Sequence, residues 1–340
     1  MAKAGRQRIT ILGTGCVGAS LGMALRNSPN ADRFEVVGHD REPLRARRAQ
    51  AMGAFDRVAL TLGGALEGTR FVILAVPLEG LRETMADVGA ILAGEEGVVL
   101  TDTAPLKAPV LPWAEALLPQ GCHFVGGDPF LAPQEGSWQL AHGLEAARDD
   151  LFREAVYALT PAPQSHPGAV RAVVEMAQLI GAQPLLMEAQ EHDLARLLSD
   201  ALPAFSAAAL VAATATRPDW EEARKAAGYG YATATAALAL HDAPSLRMLA
   251  MLEREALLPR LDHLLQELGE LRDLLAAGEA EALERAFAEA GRLRADWMAR
   301  ARARRWEAEI QTAAVPDLFH RSMQALVGRF GAGGEEPSDD

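Results

Sequence analysis

The sequence predicts an α/β fold with a mostly parallel, doubly wound sheet in its N-terminal part and an all-helical C-terminal domain. One observation is local: an apolar run over residues 9–12 is followed by glycines with the spacing G-x-G-x-x-G and then by a helical segment. The other is the alternation of short apolar strands with helical segments up to about residue 166. Residues 189–305 instead show helical periodicity almost throughout, with abundant alanine.

The glycine-rich segment follows the first predicted strand and has the properties of a dinucleotide-binding loop, as in a Rossmann domain. Gly13 permits a tight turn, Gly15 lets the backbone approach a pyrophosphate, and Gly18 lets the helix pack on the strand. The helix N-terminus adds free N–H groups and a partial positive charge. The predicted cofactor contacts here are Gly13, Thr14, Gly15, Cys16, Val17 and Gly18.

An acidic residue follows the second predicted strand, which spans residues 34–38. Asp40 lies 22 positions after Gly18, where a carboxylate would hold the ribose hydroxyls of an adenosine. A 2′-phosphate would be repelled by that carboxylate, so Asp40 favours NAD, whereas Arg41 leaves NADP open. The alternative is a glycine turn in another kind of α/β protein.

Later strands are predicted at residues 71–76, 98–101, 122–125 and 156–159. Ligands of doubly wound sheets bind beyond the carboxyl ends of the strands. Residues that follow these ends are therefore expected near the cofactor: Ala75, Val76, Pro77 and Asp102, with Asp128 at the same edge.

Composition limits the function classes. The formal net charge of −13 argues against a nucleic-acid partner, and two cysteines, Cys16 and Cys122, suggest a reducing compartment. No cysteine or histidine cluster suggests a metal, and no apolar signal-peptide core precedes the first strand. The longest uncharged run, residues 201–216, is shorter than a membrane span. We therefore expect a soluble cytoplasmic protein with a small-molecule substrate and no membrane contact.

The chain length of 340 residues predicts two domains. We expect a dinucleotide-binding domain over residues 7–166 and a helical substrate and dimerisation domain over 167–306. An accessory amphipathic helix is expected over 307–330 and a disordered tail over 331–340. Because residues 201–214 are apolar nearly all round, we expect this helix to be buried in the core of a homodimer.

Taken in order, these motifs make the chain resemble the prephenate and arogenate dehydrogenase family from about Gln7 to about Trp306. The resemblance implies an NAD(P)-dependent oxidoreductase that oxidatively decarboxylates prephenate or arogenate in tyrosine biosynthesis. Besides the glycine loop, it is carried by Ile73-Leu-Ala-Val-Pro77, Asp102 with Lys107, Thr160-Pro161, Gly181-Ala182, Glu191-His-Asp193, and Arg254-Glu-Ala-Leu-Leu-Pro-Arg-Leu-Asp262.

The chain departs from the family pattern at the positions that would contact substrate. Asp128 stands at the position of the family's histidine, the expected partner of the substrate hydroxyl. Further replacements are Pro105 for a serine, Asp200-Ala-Leu-Pro-Ala204 for Ser-His-Leu-Pro-His, and Ala232 and Ala236 for two arginines. The alanines would make the substrate pocket less polar and roomier, which favours a less anionic substrate.

Two candidate catalytic residues remain, and each has an alternative. Asp128 either accepts the hydroxyl proton or only starts a turn with Pro129. Lys107 either has a role in the site, by orienting its loop or by meeting an anionic group near the nicotinamide, or is a plain surface lysine. For His192 we expect a structural role. The functional alternatives are a dehydrogenase of prephenate or arogenate, a dehydrogenase of a different, less anionic substrate, and a non-catalytic dinucleotide-binding dimer that acts as a regulator.

Overall fold

An eight-stranded sheet forms the first of two structural units in the computed structural model, which describes residues 6–132, 143–240 and 242–302. The predicted helix over 307–330 and the predicted tail lie outside these ranges. The strands are β1 (Gln7–Leu12), β2 (Phe34–His39), β3 (Arg57–Val58), β4 (Thr69–Leu74), β5 (Val98–Asp102), β6 (Cys122–Phe130), β7 (Val156–Pro161) and β8 (Gln183–Leu186).

The strand order is β3-β2-β1-β4-β5-β6-β7-β8. Neighbouring strands are parallel except β6 and β7, which are antiparallel. The first six strands have the order of a dinucleotide-binding Rossmann fold. The strand order switches between β1 and β4, because β2 and β3 lie on one side of β1 and β4 to β6 lie on the other. The predicted doubly wound, mostly parallel sheet is therefore confirmed.

Six α-helices of the described residues belong to this unit: α1 (Cys16–Arg26), α2 (Pro43–Ala51), α3 (Leu62–Leu66), α4 (Leu78–Ile91), α5 (Val110–Leu117) and α6 (Pro167–Leu179). Their apolar faces pack on the sheet, where Ile11, Leu21 and Val173 are fully buried in one hydrophobic core. The sequence did not predict β3 and α3, because both are shorter than the segments that periodicity can identify.

Strand β6 is longer than the sequence predicted. It continues from Val125 to Phe130 because β7 pairs with it in antiparallel register, with Asp128 opposite Ala158. Pro129 has no N–H group, and β5 pairs with β6 only as far as Val125, so the proline removes no bond to β5.

The boundary between the units lies later in the chain than the expected residue 166. The first unit includes residues 143–189, because β8 pairs with β7 at the edge of the sheet and α6 packs on the same sheet. The change in sequence pattern near Pro167 therefore coincides with the start of helix α6, which still belongs to the first unit.

The second unit comprises Ala132 and residues 190–240 and 242–302 of the described chain, and its regular secondary structure is helical. Its helices are α7 (Ala189–Arg196), α8 (Leu202–Ala215), α9 (Trp220–Ala223), α10 (Tyr229–Thr235), α11 (Ala243–Leu252), α12 (Arg254–Ala277) and α13 (Ala280–Arg302). A π-helical turn, Leu197–Ala201, joins α7 to α8. The predicted all-α C-terminal domain is confirmed.

The continuous helical stretch Ala189–Ala215 is long and apolar enough to cross a membrane by length and composition. This stretch is longer than the uncharged run of residues 201–216, because the helix begins before that run. A single helix of this kind is weak evidence for a membrane span, because apolar helices of soluble proteins pass the same test.

Candidate functional site

The glycine loop lies between β1 and α1, at the carboxyl edge of the sheet. Gly13 has φ +94°, and a Cβ there would overlap the carbonyl oxygen of Ala75. A Cβ on Gly18 would overlap the carbonyl oxygen of Gly13. The fold itself thus requires these two glycines, one for a left-handed turn and one for close packing of α1.

Gly15 differs from the other two glycines of the loop. A Cβ at Gly15 would meet no atom within 4 Å, and the backbone there is extended. The first turn of α1, at Cys16 and Val17, follows directly and contains no acidic residue. Open space beside unpaired N–H groups is what a pyrophosphate needs, so this loop fits a dinucleotide.

The ends of the central strands meet beside this loop. The amide of Ala75 donates to the carbonyl of Leu12 at 2.7 Å, and the amide of Gly13 donates to the carbonyl of His39 at 2.9 Å. Ala75 and Val76 are half-buried and Pro77 is exposed at the start of α4. The structure therefore brings the glycine loop, residues 75–77 and the end of β2 together, as the sequence predicted.

Asp40 follows β2 and is held rigidly. Its Oδ2 accepts hydrogen bonds from the amide and the hydroxyl of Thr14, at 2.8 and 2.9 Å, and its Oδ1 accepts from the amide of Glu42 at 2.8 Å. A guanidinium nitrogen of Arg45 lies 3.6 Å from Oδ1. Thr14 is thus buried against Asp40, and the carboxylate is fixed where a ribose is expected.

Arg41 extends away from this carboxylate. Its guanidinium contacts Glu83 of α4 at 2.7 Å, and its side chain is 65% exposed. Arg45 is paired with Glu42 in addition to Asp40. Both arginines beside the predicted ribose position therefore have acidic partners. The sequence did not reveal the partner of Arg41, because Glu83 lies 42 positions further along the chain.

Cys16 belongs to packing rather than to redox chemistry. Burial raises the pKa of its thiol, while a hydrogen bond with Ser20 and the charge of Arg148 act in the opposite direction. A thiol with a raised pKa is a poor nucleophile near neutral pH.

Asp102 and Lys107 form an ion pair, and both side chains are 0% exposed. Asp102 ends β5, and Lys107 lies in the turn before α5. Besides Lys107, the carboxylate of Asp102 accepts from the amides of Ala104 and Gly127, each at 3.0 Å. Burial raises the pKa of Asp102, whereas the Lys107 ammonium and these two amides act against that rise. Asp102 was predicted beside the cofactor, but its carboxylate is fully buried, and the burial of Lys107 shows that it is not a surface lysine.

Asp128 lies within β6 and is only 2% exposed. It does not start a turn with Pro129, because both residues pair with β7. The buried phenol of Tyr157 on β7 donates to the carbonyl of Asp102 at 3.3 Å. Burial and the charges of Asp102 and Asp128 raise the pKa of Tyr157, so its hydroxyl stays protonated. Sequence analysis missed Tyr157, since an aromatic residue in a strand has no distinctive pattern.

The second unit contains a buried polar cluster on α7 and the π-helical turn. His192 is fully buried and its Nδ1 lies 2.8 Å from Asp193, as expected of a structural role. Arg196 donates to Asp200 at 2.8 Å. Asp200 is the first residue of the segment that replaces Ser-His-Leu-Pro-His, whereas Arg196 was missed because a lone arginine on a helix is ordinarily solvated.

The fold and the glycine loop define a Rossmann-type dinucleotide-binding protein with a separate helical unit. Two family models match the chain in order: "Prephenate dehydrogenase, nucleotide-binding domain" at residues 21–186 and "Prephenate dehydrogenase, dimerization domain" at residues 188–289. Together they span most of the sequence. The chain belongs to the prephenate dehydrogenase family of oxidoreductases.

Individual relatives agree with this assignment. The chain is 26% identical to the prephenate dehydrogenase of Bacillus subtilis over 286 residues, covering 83% of this chain and 74% of the relative. It is 27% identical to the cyclohexadienyl dehydrogenase of Zymomonas mobilis over 293 residues, covering 85% and 95%. The crystal structure of Aquifex aeolicus prephenate dehydrogenase with hydroxyphenyl propionate and NAD+ has the same fold, with TM-score 0.74, 22% identity and coverage of 87% and 99%.

Proposed function

We propose that the protein is an NAD-dependent dehydrogenase that oxidises a cyclohexadienol acid, prephenate or arogenate, in the cytoplasm. The observation that carries this proposal is the fixed carboxylate of Asp40 beside an open glycine loop. A rigid carboxylate suits the two hydroxyls of an unphosphorylated ribose, and the open loop suits a pyrophosphate. The curated relatives named prephenate and cyclohexadienyl dehydrogenase support the substrate class.

The proposed chemistry starts at the substrate hydroxyl. When bound, nicotinamide supplies the hydride acceptor for the hydrogen on the carbon that bears this hydroxyl. Asp128 accepts the hydroxyl proton as the C–O double bond forms. The bond to the ring carboxylate then breaks and releases carbon dioxide, its electrons aromatise the ring, and the oxygen takes the proton back from Asp128. Asp128 thus takes the role of the family's histidine.

A second candidate substrate class is favoured by the second unit. Ala232 and Ala236 are half-buried on α10 and the turn after it, where the family pattern has two arginines. An arginine–carboxylate contact contributes about 1.5–3 kcal/mol, so losing two anchors weakens binding of a dicarboxylate by at least a factor of about a hundred. The binding of a less anionic hydroxy acid would be weakened less.

Absorbance of the reduced nicotinamide band tests these proposals directly. Purified protein is mixed with NAD or NADP and with prephenate or arogenate. We expect turnover with NAD, and Asp128→Asn should lower kcat about 10²–10⁴-fold because the proton acceptor is lost. Asp128→His, which restores the family residue, should keep activity. Gly15→Asp is the control for the cofactor site and should abolish NADH binding measured by calorimetry.

The outcomes separate the alternatives. Turnover of arogenate at much lower KM than prephenate would identify arogenate as the substrate within the first proposal. Binding of NADH without turnover of either compound would favour a different substrate or the non-catalytic dinucleotide-binding dimer over both compounds. Binding of NADH by Gly15→Asp would contradict the assignment of the glycine loop.

We also propose that the second unit forms a homodimer. The family model that matches it describes a dimerization domain. Helix α12 carries exposed leucines at positions 258, 265, 268 and 275, which recur at helical spacing. An apolar stripe of this kind on a described helix is typical of a protein–protein interface.

A further inference from the structure

The ion pair of Asp102 and Lys107 is bonded to strand β6 next to the proposed proton acceptor. Asp102 Oδ1 accepts the amide hydrogen of Gly127 at 3.0 Å, and Gly127 directly precedes Asp128. Asp102 Oδ2 contacts the Lys107 ammonium and accepts from Ala104. One carboxylate therefore joins the end of β5, the turn before α5 and the middle of β6.

Side-chain packing couples the same elements. A Cβ on Gly126 would overlap the Thr160 hydroxyl and would press on the Cδ methylene of Lys107, at 3.0 Å. A Cβ on Gly127 would lie 2.6 Å from the Thr101 hydroxyl and 2.8 Å from the Tyr157 ring. The absence of side chains at these two glycines thus lets β6 lie close to Lys107 and Tyr157, in the residues directly before Asp128.

The charges of Asp102 and Lys107 depend on each other because both side chains are buried. A buried carboxylate or ammonium is costly when it is unpaired and tolerable when it is paired and hydrogen-bonded. Lys107 neutralises Asp102, and the charges of Asp102 and Asp128 both act on the phenol of Tyr157. Loss of either member of the pair would therefore change the field around Asp128.

We infer that Asp102 and Lys107 are positioning residues: they fix the Gly127–Asp128 backbone and the charge balance around Asp128, and touch neither cofactor nor substrate. This inference rests on the proposed function, in which Asp128 accepts the proton. Under this inference Asp102 does not bind the cofactor, and the site role of Lys107 is orientation and not contact with an anionic group.

A double-mutant cycle tests the inference. The variants are Asp102→Asn, Lys107→Met and the two combined, with NADH affinity measured by fluorescence and kcat and KM by absorbance. We expect each single variant to lower kcat about 10–100-fold, because one buried charge is left unpaired, with NADH affinity within about threefold of wild type. The double variant should regain at least about tenfold in kcat, because it removes both charges and the amide oxygen of the introduced asparagine can still accept from Gly127.

Contact with a ligand would give a different pattern. If Lys107 bound a substrate anion, KM would rise and the double variant would be no better than Lys107→Met. If Asp102 touched the cofactor, Asp102→Asn would weaken NADH binding more than about tenfold. Lys107→Arg keeps the charge and should keep kcat within about fivefold. Thermal melts show which variants fold. If Lys107→Met does not fold, Lys107→Arg is measured in its place.

A titration judges the inference without turnover. The carboxyl carbon of Asp128, assigned by its loss in Asp128→Asn, is followed by carbon NMR from about pH 4 to 9. Removal of the ammonium in Lys107→Met should raise the pKa of Asp128, and removal of a carboxylate in Asp102→Asn should lower it. An unchanged pKa of Asp128 in both variants would overturn the inference. If the pKa of Asp128 changes as expected in both variants, but the protein binds NADH without turnover of prephenate or arogenate, only the proposed catalysis would be overturned.

Discussion

Thr14 donates its backbone amide and its hydroxyl to the same carboxylate oxygen of Asp40. These bonds connect the glycine loop to the end of β2, two parts of a dinucleotide site that are 26 positions apart. The other oxygen of Asp40 accepts from Glu42. The carboxylate is therefore oriented by the protein alone, which lowers the entropy lost when a ribose binds.

The first prediction concerns this pair. Thr14→Val keeps the shape of the side chain and removes one of the two donors, so it should weaken NADH binding about tenfold, as measured by fluorescence titration. Thr14→Ser keeps the hydroxyl and is the matched control, with affinity expected within about twofold of wild type. Equal affinities of the valine and serine variants would show that the hydroxyl does not orient Asp40.

The sequence predicted the local parts of this site and missed the non-local ones. The glycine loop and Asp40 were found because their spacing reflects a strand, a turn and a helix that follow one another. The Asp128-Pro129 pair suggested a turn, because β7, which holds it in β6, is encoded 28 residues later. Burial of Lys107 could not be predicted, because a lysine becomes buried only where the fold supplies a partner such as Asp102.

The second prediction concerns the choice between NAD and NADP. Arg41 follows Asp40, and an arginine at this place can hold a 2′-phosphate, but its guanidinium is paired with Glu83. Glu83→Gln should release Arg41 and raise NADPH affinity about two- to fivefold while NADH affinity stays the same. The effect is small because both side chains are exposed. Fluorescence titration with both nucleotides measures it.

Asp87→Asn is the control for this experiment. Asp87 is exposed one turn further along α4, so its variant makes the same change in net charge without touching the pair. Adding Arg41→Gln to Glu83→Gln should cancel the gain in NADPH affinity. A gain of equal size in Asp87→Asn would show that overall charge, and not the released arginine, is responsible.

The third prediction is a pH dependence of stability. Glu175 on α6 is buried, and within the described chain its Oε2 has no hydrogen-bond partner. Burial raises the pKa of Glu175 to about 7, against an opposing effect of Arg171. A carboxyl group whose pKa is higher in the folded state than in the unfolded state stabilises the fold at pH values below its unfolded pKa. That contribution to stability is lost as the pH rises through the folded-state pKa of about 7.

Glu175→Gln should therefore raise the free energy of unfolding by about 1–2 kcal/mol at about pH 8 and leave it unchanged near pH 4.5. Urea denaturation at both pH values measures the difference. Glu115→Gln, at an exposed position of α5, is the control and should show no pH-dependent gain. A gain at Glu175 that is equal at both pH values would mean that ionisation of this carboxyl does not limit stability.

The fourth prediction concerns the homodimer proposed for the second unit. Leu265 and Leu268 on α12 are 66% and 55% exposed in the single chain, on the stripe of leucines that recurs along this helix. If the dimer buries this stripe, a charge introduced at position 265 would lie in an apolar interface without a partner. Leu265→Glu should therefore weaken dimerisation at least about thirtyfold, as measured by light scattering coupled to size-exclusion chromatography.

Gln266→Glu adds the same charge one position along the exposed helix and should leave the dimer intact. A Leu265→Glu protein that remains as dimeric as Gln266→Glu would place the interface on another face of the second unit.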